Sequence, residues 1–311
     1  MKFLGGIFDP SSPDAQEIIN LSYIVLGFTL IIFLIITIVV FYIIIRFRRK
    51  PGDNSEPEQY FGSLTAEIVW TVLPVIVVGI IFFYTVRTMY AVHPPTGGED
   101  PDIHIIGHQW WWELHYPKSG VLTANEVHIP VGKKMLVRLN SFDVIHSFWI
   151  PELAGKMDLI PAHTNHIWLE ASKPGVYLGA CAEFCGIQHG HMRLRVIAQT
   201  QEEFDKWQNE QLVIPKTPTT GSSGKGARLF KKEACMNCHA ISGISAANVG
   251  PNLTHLNTRQ TIGAGVLENT PENLKNWLKN AQKYKPGSLM PNLKLNDSEA
   301  EELVAYLEGL K

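Results

Sequence analysis

A multidomain chain, with two membrane-spanning helices, a β-barrel or sandwich and a helical C-terminal module, is predicted by three observations in these 311 residues. Residues 21–45 and 68–86 carry no charged side chain. Residues 102–197 hold short β-rich segments punctuated by Pro and Gly, and from residue 225 the pattern turns helical. Lys and Arg number 27 against 29 Asp and Glu, for a net charge of −2. That balance offers no field for nucleic acid, which is excluded as a partner.

The first uncharged run passes a ~30 Å hydrocarbon core easily at ~1.5 Å per residue. The second is just long enough, and Pro74 and Gly79 within it are tolerable in a membrane helix. A buried soluble helix is the alternative for this second run. Arg46, Arg48, Arg49 and Lys50 follow the first run, so the loop 46–66 is expected in the cytoplasm and both termini outside it. Residues 1–6 have one Lys and no long apolar run, so no cleavable leader is expected.

Strands are expected at 102–106, 126–129, 134–139, 166–169 and 192–197, as in an antiparallel barrel or sandwich, with a closing helix at 201–210. Residues 212–224, with Pro215, Pro218 and Gly221, read as a linker. An amphipathic helix over 298–310 ends the chain. The domains expected are therefore 1–95, 96–211 and 225–311, joined by the 212–224 linker.

All four cysteines fall into two constellations. Cys181, Glu183, Cys185, His189 and Met192 occupy one short stretch, with His146 upstream. Two thiolates can bridge two copper ions, leaving one His for each, with Met192 and the Glu183 carbonyl as weak end ligands. Zinc has no use for a thioether at that spacing, yet a structural zinc or a local disulfide stays open as an alternative. The second constellation, Cys235, Cys238 and His239, is the attachment signature of a covalent c-type haem. A thioredoxin-like pair is the alternative, against which stand the adjoining His and the lack of a βαβ pattern.

Residues 107–112 (GHQWWW), 143–149 (DVIHSFW), 155–158 (GKMD) and the 181–192 loop together resemble subunit II of cytochrome c oxidase, over residues ~15–210. The resemblance implies a cupredoxin-like Greek-key β-barrel with dinuclear copper held by His146, Cys181, the Glu183 carbonyl, Cys185, His189 and Met192. It implies a Mg²⁺ shared with subunit I through the Glu183 carboxylate. Trp110 becomes the electron entry residue facing a docked cytochrome; plain core or interface packing is its alternative. Residues 67–74 (EIVWTVLP) resemble the oxidase segment whose Glu opens a K-type proton pathway, so Glu67 is a proton-entry residue by resemblance. Its alternative is a carboxylate that only stabilises a helix N-terminus. One departure is that residues 161–163 read PAH where many members carry PGR, which leaves His163 a surface residue. The remaining histidines (93, 104, 108, 115, 128, 166, 191 and 255) are expected to be ordinary polar residues.

The C-terminal module resembles a class I cytochrome c along its whole length, which implies thioether links to Cys235 and Cys238 and axial ligands His239 and Met290. Pro251 would supply the carbonyl that orients His239. Met236 competes as a thioether but lies inside the attachment motif. Histidine–methionine ligation raises a haem potential, suiting a donor to copper. The whole therefore resembles subunit II of a proton-pumping haem–copper oxidase fused to its own cytochrome, the caa(3) type. That implies electron flow from haem c to dinuclear copper and on to subunit I, where O2 is reduced to water. Subunits I and III would be partners, and a quinol:cytochrome c reductase or a separate cytochrome c the upstream donor. The setting implied is the bacterial plasma membrane, with multiple spans and both metal domains on the outer face. The alternative is an electron-entry or tethering subunit of a copper-containing nitric oxide reductase. Glu67 and the paired spans favour the oxidase.

Overall fold

A computed structural model describes residues 6–52, 56, 58–94, 100–233 and 235–311. Residues 1–5, on which the leader expectation largely rests, and the boundary between 95 and 96 lie outside them. The chain forms two compact units, one of residues 16–93 and one of residues 1–15 with 94–311.

The first unit holds most of α1 (Pro13–Arg46) and all of α2 (Leu64–Val92). Both run beyond the uncharged stretches, and their large apolar side chains, Phe33, Ile38, Val78 and Phe82 among them, are exposed. A helix that is apolar all round with its large side chains exposed fits lipid. The most apolar stretch of α2 has no buried residue, so the soluble-core alternative does not hold. Ser63 caps α2, its side chain accepting from the Ala66 N–H, and the exposed Glu67 lies in the first turn.

In the second unit, two five-stranded sheets face one another. One runs β3 (Val121–Ala124), β2 (Trp111–Tyr116), β1 (Ile103–His108), β5 (Met135–Ser141), β8 (Asn165–Leu169). The other runs β4 (Glu126–Pro130), β10 (Arg193–Gln199), β9 (Gly175–Cys181), β6 (His146–Trp149), β7 (Met157–Leu159). The pairs β1–β5 and β4–β10 are parallel and the rest antiparallel, the mixed crossing of a Greek-key, cupredoxin-like barrel. Alternate residues turn inward, so Ile105, Trp112, Leu139, Phe148 and Val196 are wholly buried. α3 (Gln201–Gln211) starts at a Thr200–Glu203 capping box and lays Trp207 edge-on to Tyr116 at 5.2 Å.

The C-terminal part contains α4 (Gly221–Lys232), two short ribbons β11–β12 (His239–Ile241, Ser245–Asn248) and β13–β14 (Thr261–Ile262, Leu267–Glu268), then α5 (Pro271–Lys279), α6 (Ala281–Tyr284) and α7 (Asp297–Leu307). The ribbons interrupt a stretch that the sequence pattern reads as helical throughout. α4 begins inside the stretch read as linker because it crosses α7 closely. A Cβ on the buried Gly226 would overlap the Glu302 carbonyl. Phe230, Leu303 and Tyr306 fill that crossing.

Candidate metal and haem sites

The copper-type residues meet at one end of the barrel. His146 opens β6, Cys181 ends β9, and the loop before β10 carries Glu183, Cys185, His189 and Met192. The two thiols are free, with their Sγ atoms 3.7 Å apart. His146 Nδ1 lies 3.9 Å from Cys181 Sγ and His189 Nδ1 lies 3.6 Å from Cys185 Sγ. Met192 Sδ is 3.8 Å from Cys185 Sγ, and the Glu183 carbonyl oxygen is 3.2 Å from Cys181 Sγ. Two thiols are thus flanked by one imidazole each, with a thioether and a carbonyl at the ends. This donor set fits a pair of soft, nitrogen- and sulfur-loving ions.

The surroundings hold these donors in place. His146 is wholly buried, and its other nitrogen, Nε2, lies 2.8 Å from Asp143 Oδ1. Asp143 Oδ2 also accepts from the Gln109 N–H at 2.7 Å. A neighbouring carboxylate that fixes ring orientation is the usual support of a ligating His. Gly107 on β1 makes room for that ring, since a Cβ there would stand 2.7 Å from His146 Cδ2. Burial pulls the His146 imidazole down, but Asp143 and the Cys181 sulfur outweigh it and raise it. Sharing with Cys185 holds the Cys181 thiol well down, against the opposing effect of burial, while the same sharing pushes Cys185 up. The pair therefore gives up its first proton readily.

The second site is a cavity of about 380 Å³ in the C-terminal part, mostly apolar, lined by Cys235, Cys238, His239 and Met290. His239 Nδ1 lies 2.8 Å from the Pro251 carbonyl oxygen. Burial holds His239 below its ordinary value and so favours neutral imidazole, the form that ligates metal. A Cβ on Gly250 would stand 2.5 Å from His239 Cε1, so only glycine fits beside the ring. Met236 does not line the cavity. Arg259 does, buried, with Nε unpartnered. A buried guanidinium short of a partner fits a cavity whose occupant carries carboxylates, as haem does.

Trp110 belongs to both sites. Its Nε1 donates to the Cys185 carbonyl at 2.9 Å, beside Gln109 Nε2 at 2.7 Å, and the residue is part of the cavity lining. Glu183 is exposed, and its carboxylate accepts from the Phe184 N–H at 3.3 Å. His163 is exposed, and Ala162 before it holds φ +58, the left-handed region where the related glycine would sit without strain. His108, His128 and His255 are buried, not exposed as polar residues usually are. Sequence reasoning passed over Asp143, Arg259, Glu126 and Lys285. Only Asp143 leaves a signal, lying three residues before a ligand-type His.

Family models match along the chain in three stretches. They are the transmembrane domain of cytochrome c oxidase subunit II at residues 4–88, its periplasmic domain at 118–199, and cytochrome c at 223–311. Among relatives, a cytochrome c oxidase subunit 2 of Alkalihalophilus pseudofirmus is 38% identical, over 97% of this chain and 90% of its own length. One of Bacillus subtilis is 34% identical, over 88% of this chain and 83% of its own length. A quinol oxidase subunit 2 of Bacillus cereus is 34% identical over 69% of this chain and 78% of its own length.

Proposed function

The chain belongs to the cytochrome c oxidase subunit II family, and from that premise we propose that it feeds electrons from a haem c of its own, through dinuclear copper, to the oxygen-reducing centre of subunit I. It is a membrane-bound part of an oxidoreductase complex with other oxidase subunits as partners, and its β-domain is the periplasmic domain of the family. The observation that carries the electron path is Trp110, which lines the haem-type cavity while its indole N–H donates to the carbonyl of Cys185.

When bound, haem and the copper pair each supply a one-electron carrier, so no bond is made or broken on this chain. The protein contributes rigidity. Cys181, Cys185, His146, His189, Met192 and the Glu183 carbonyl would hold the copper pair. Cys235 and Cys238 would take the thioether links, with His239 and Met290 as axial ligands and Pro251 fixing His239. The complete thiol and imidazole set supports a donor that is a cytochrome. On this reading the copper and haem modules stand on the outer face of a bacterial plasma membrane. Subunits I and III are neighbours there, and the upstream donor is a quinol:cytochrome c reductase or another cytochrome c. The Glu183 carboxylate would share a Mg²⁺ with subunit I, and Glu67 would open a proton route into it.

The deciding experiment is electron paramagnetic resonance of residues 100–311 loaded with copper. Seven hyperfine lines and two coppers per chain are expected. A four-line mononuclear signal, or stoichiometric zinc, would overturn the copper reading. Cys185→Ser should abolish the seven-line pattern, since one bridging thiolate is lost.

A further inference from the structure

Two ionisable side chains are buried at the seam between the copper-type barrel and the haem-type module. Glu126, the first residue of β4, is 1 % exposed. Its Oε2 accepts from the Gln260 N–H at 2.9 Å; its Oε1 accepts from the Thr261 N–H and Thr261 Oγ1, each at 2.9 Å. A buried carboxylate is costly unless hydrogen-bonded, and these three donors all come from the haem-type module. Arg259, next in sequence, adds attraction. Lys285 is 4 % exposed and reaches the other way, donating to the Trp110 carbonyl at 2.6 Å and to the Gly263 carbonyl at 3.1 Å.

We propose that Glu126 and Lys285 are positioning residues that lock the haem-binding module onto the copper-binding barrel with Trp110 between the two sites. The inference rests on the electron path proposed above. Smaller contacts complete the seat. The Arg193 N–H donates to the Ala264 carbonyl at 3.1 Å, Gln188 Nε2 donates to the Pro286 carbonyl at 2.6 Å, and Arg195 Nη1 donates to Gln260 Oε1 at 3.0 Å. Trp111, Ala124 and Ala264 form a small apolar cluster across the same seam. Glu126 and Lys285 differ from these in kind. The Glu126 carboxylate is satisfied only by the opposite module, so undocking strands it and the donors it holds. The buried Lys285 amine loses the Trp110 carbonyl and keeps only that of Gly263, in its own module. Lys285 also bonds the backbone of Trp110 itself, which ties the docking geometry to the residue that touches both sites. Electron tunnelling falls steeply with separation, so a fixed seat gives one rate where a swinging module would give a gated one.

The test uses the assembled oxidase carrying Glu126→Gln, Lys285→Met or Thr261→Val, the last removing only one of the three donors. Copper and haem spectra are checked first. Amide hydrogen exchange of residues 258–268 should then rise about tenfold or more in Glu126→Gln and Lys285→Met, and less in Thr261→Val. Transfer of one electron from ferrous haem to oxidised copper should slow about tenfold and become dependent on solvent viscosity. The KM for an external reductant of the haem should not move. A role confined to folding would lower yield without introducing viscosity dependence. Unchanged exchange and a viscosity-independent rate in the variants would overturn the proposal. If Glu126→Gln does not assemble, Thr261→Val decides by the same two readouts. Absence of haem-to-copper transfer in the unmodified oxidase would refute the electron path instead, while hydrogen exchange still reports on the seat.

Discussion

Gly107→Ala should damage the copper site through a single methyl group. The added Cβ would stand 2.7 Å from His146 Cδ2, 3.1 Å from Cγ and 3.3 Å from Leu159 Cδ2. Carbon atoms rest at about 3.5–4.0 Å, so the ring must retreat by roughly 0.8 Å or more. It has no room to do so. His146 and Leu159 are wholly buried, and Nε2 is held 2.8 Å from Asp143. Overpacking of this sort costs about 1–3 kcal/mol. If the barrel absorbs it by turning the imidazole, Nδ1 leaves the sulfurs and metal affinity should fall about 10–100-fold, as when the support of a ligating His is lost. The assay is copper titration of residues 100–311 followed by the thiolate–copper absorption, with thermal unfolding of the metal-free protein alongside. A variant that binds two coppers with unaltered affinity and spectrum would refute the reasoning, because His146 would then not be confined by β1.

Met290→His should keep a covalent haem but lower its potential, because a harder nitrogen ligand favours ferric iron; a sulfur-to-iron band surviving in Met290→Ala would place the axial ligand elsewhere. Glu113 gives a pH signature. Burial pushes its carboxyl up, but hydrogen bonds to His108 at 2.8 Å and His115 at 2.6 Å prevail and bring it to about 2, below the usual 4.5. A depressed carboxyl stabilises the fold above pH ~4.5 and loses that contribution as pH falls towards 2. Glu113→Gln should therefore cost ~1–3 kcal/mol at pH 7 and flatten the acid limb of stability between those values, read by urea unfolding at stepped pH; equal acid limbs would count against it. Glu67→Gln should slow oxidase turnover while haem-to-copper transfer stays normal, and normal turnover across pH 6–9 would leave only the helix-terminus role.

What could be read in the residues depended on how local the cause was. The uncharged runs, the alternating strands and the cysteine spacings are each set by neighbours within one element or loop, and they pointed to the architecture directly. Pairing of β1 with β5 and of β4 with β10 is parallel and non-local, and no turn chemistry announces it. The short ribbons around residues 239–268 are equally quiet, since strands of two to four residues carry too little period to read. The positions of Glu126 and Lys285 were invisible for a different reason. An isolated charge in a strand or loop reads as solvated. It is the fold that supplies the partners making burial tolerable, with all three Glu126 donors and one of the two Lys285 acceptors coming from across the seam. Glu126 does sit in a strand whose five residues are all buried. That contrast becomes a signal only once the burial is known.

The two sites solve one physical problem in the same way. A redox centre works fastest when its ligands need not move as its charge changes, so each ligating group must be held from behind. At the barrel the ring of His146 is fixed by Asp143 and given space by Gly107. At the C-terminal module the ring of His239 is fixed by the Pro251 carbonyl and given space by Gly250. The supports differ in charge for a reason that follows from their surroundings. Asp143 is partly exposed and can remain ionised, whereas a carboxylate beside His239, facing a mostly apolar cavity, would need a counter-charge. A neutral carbonyl gives the same orientation without that burden. Trp110 then joins the two rigid shells through the Cys185 carbonyl. For the electron path proposed above, fixing the modules to one another is therefore the remaining condition, and Glu126 and Lys285 are the groups proposed to meet it.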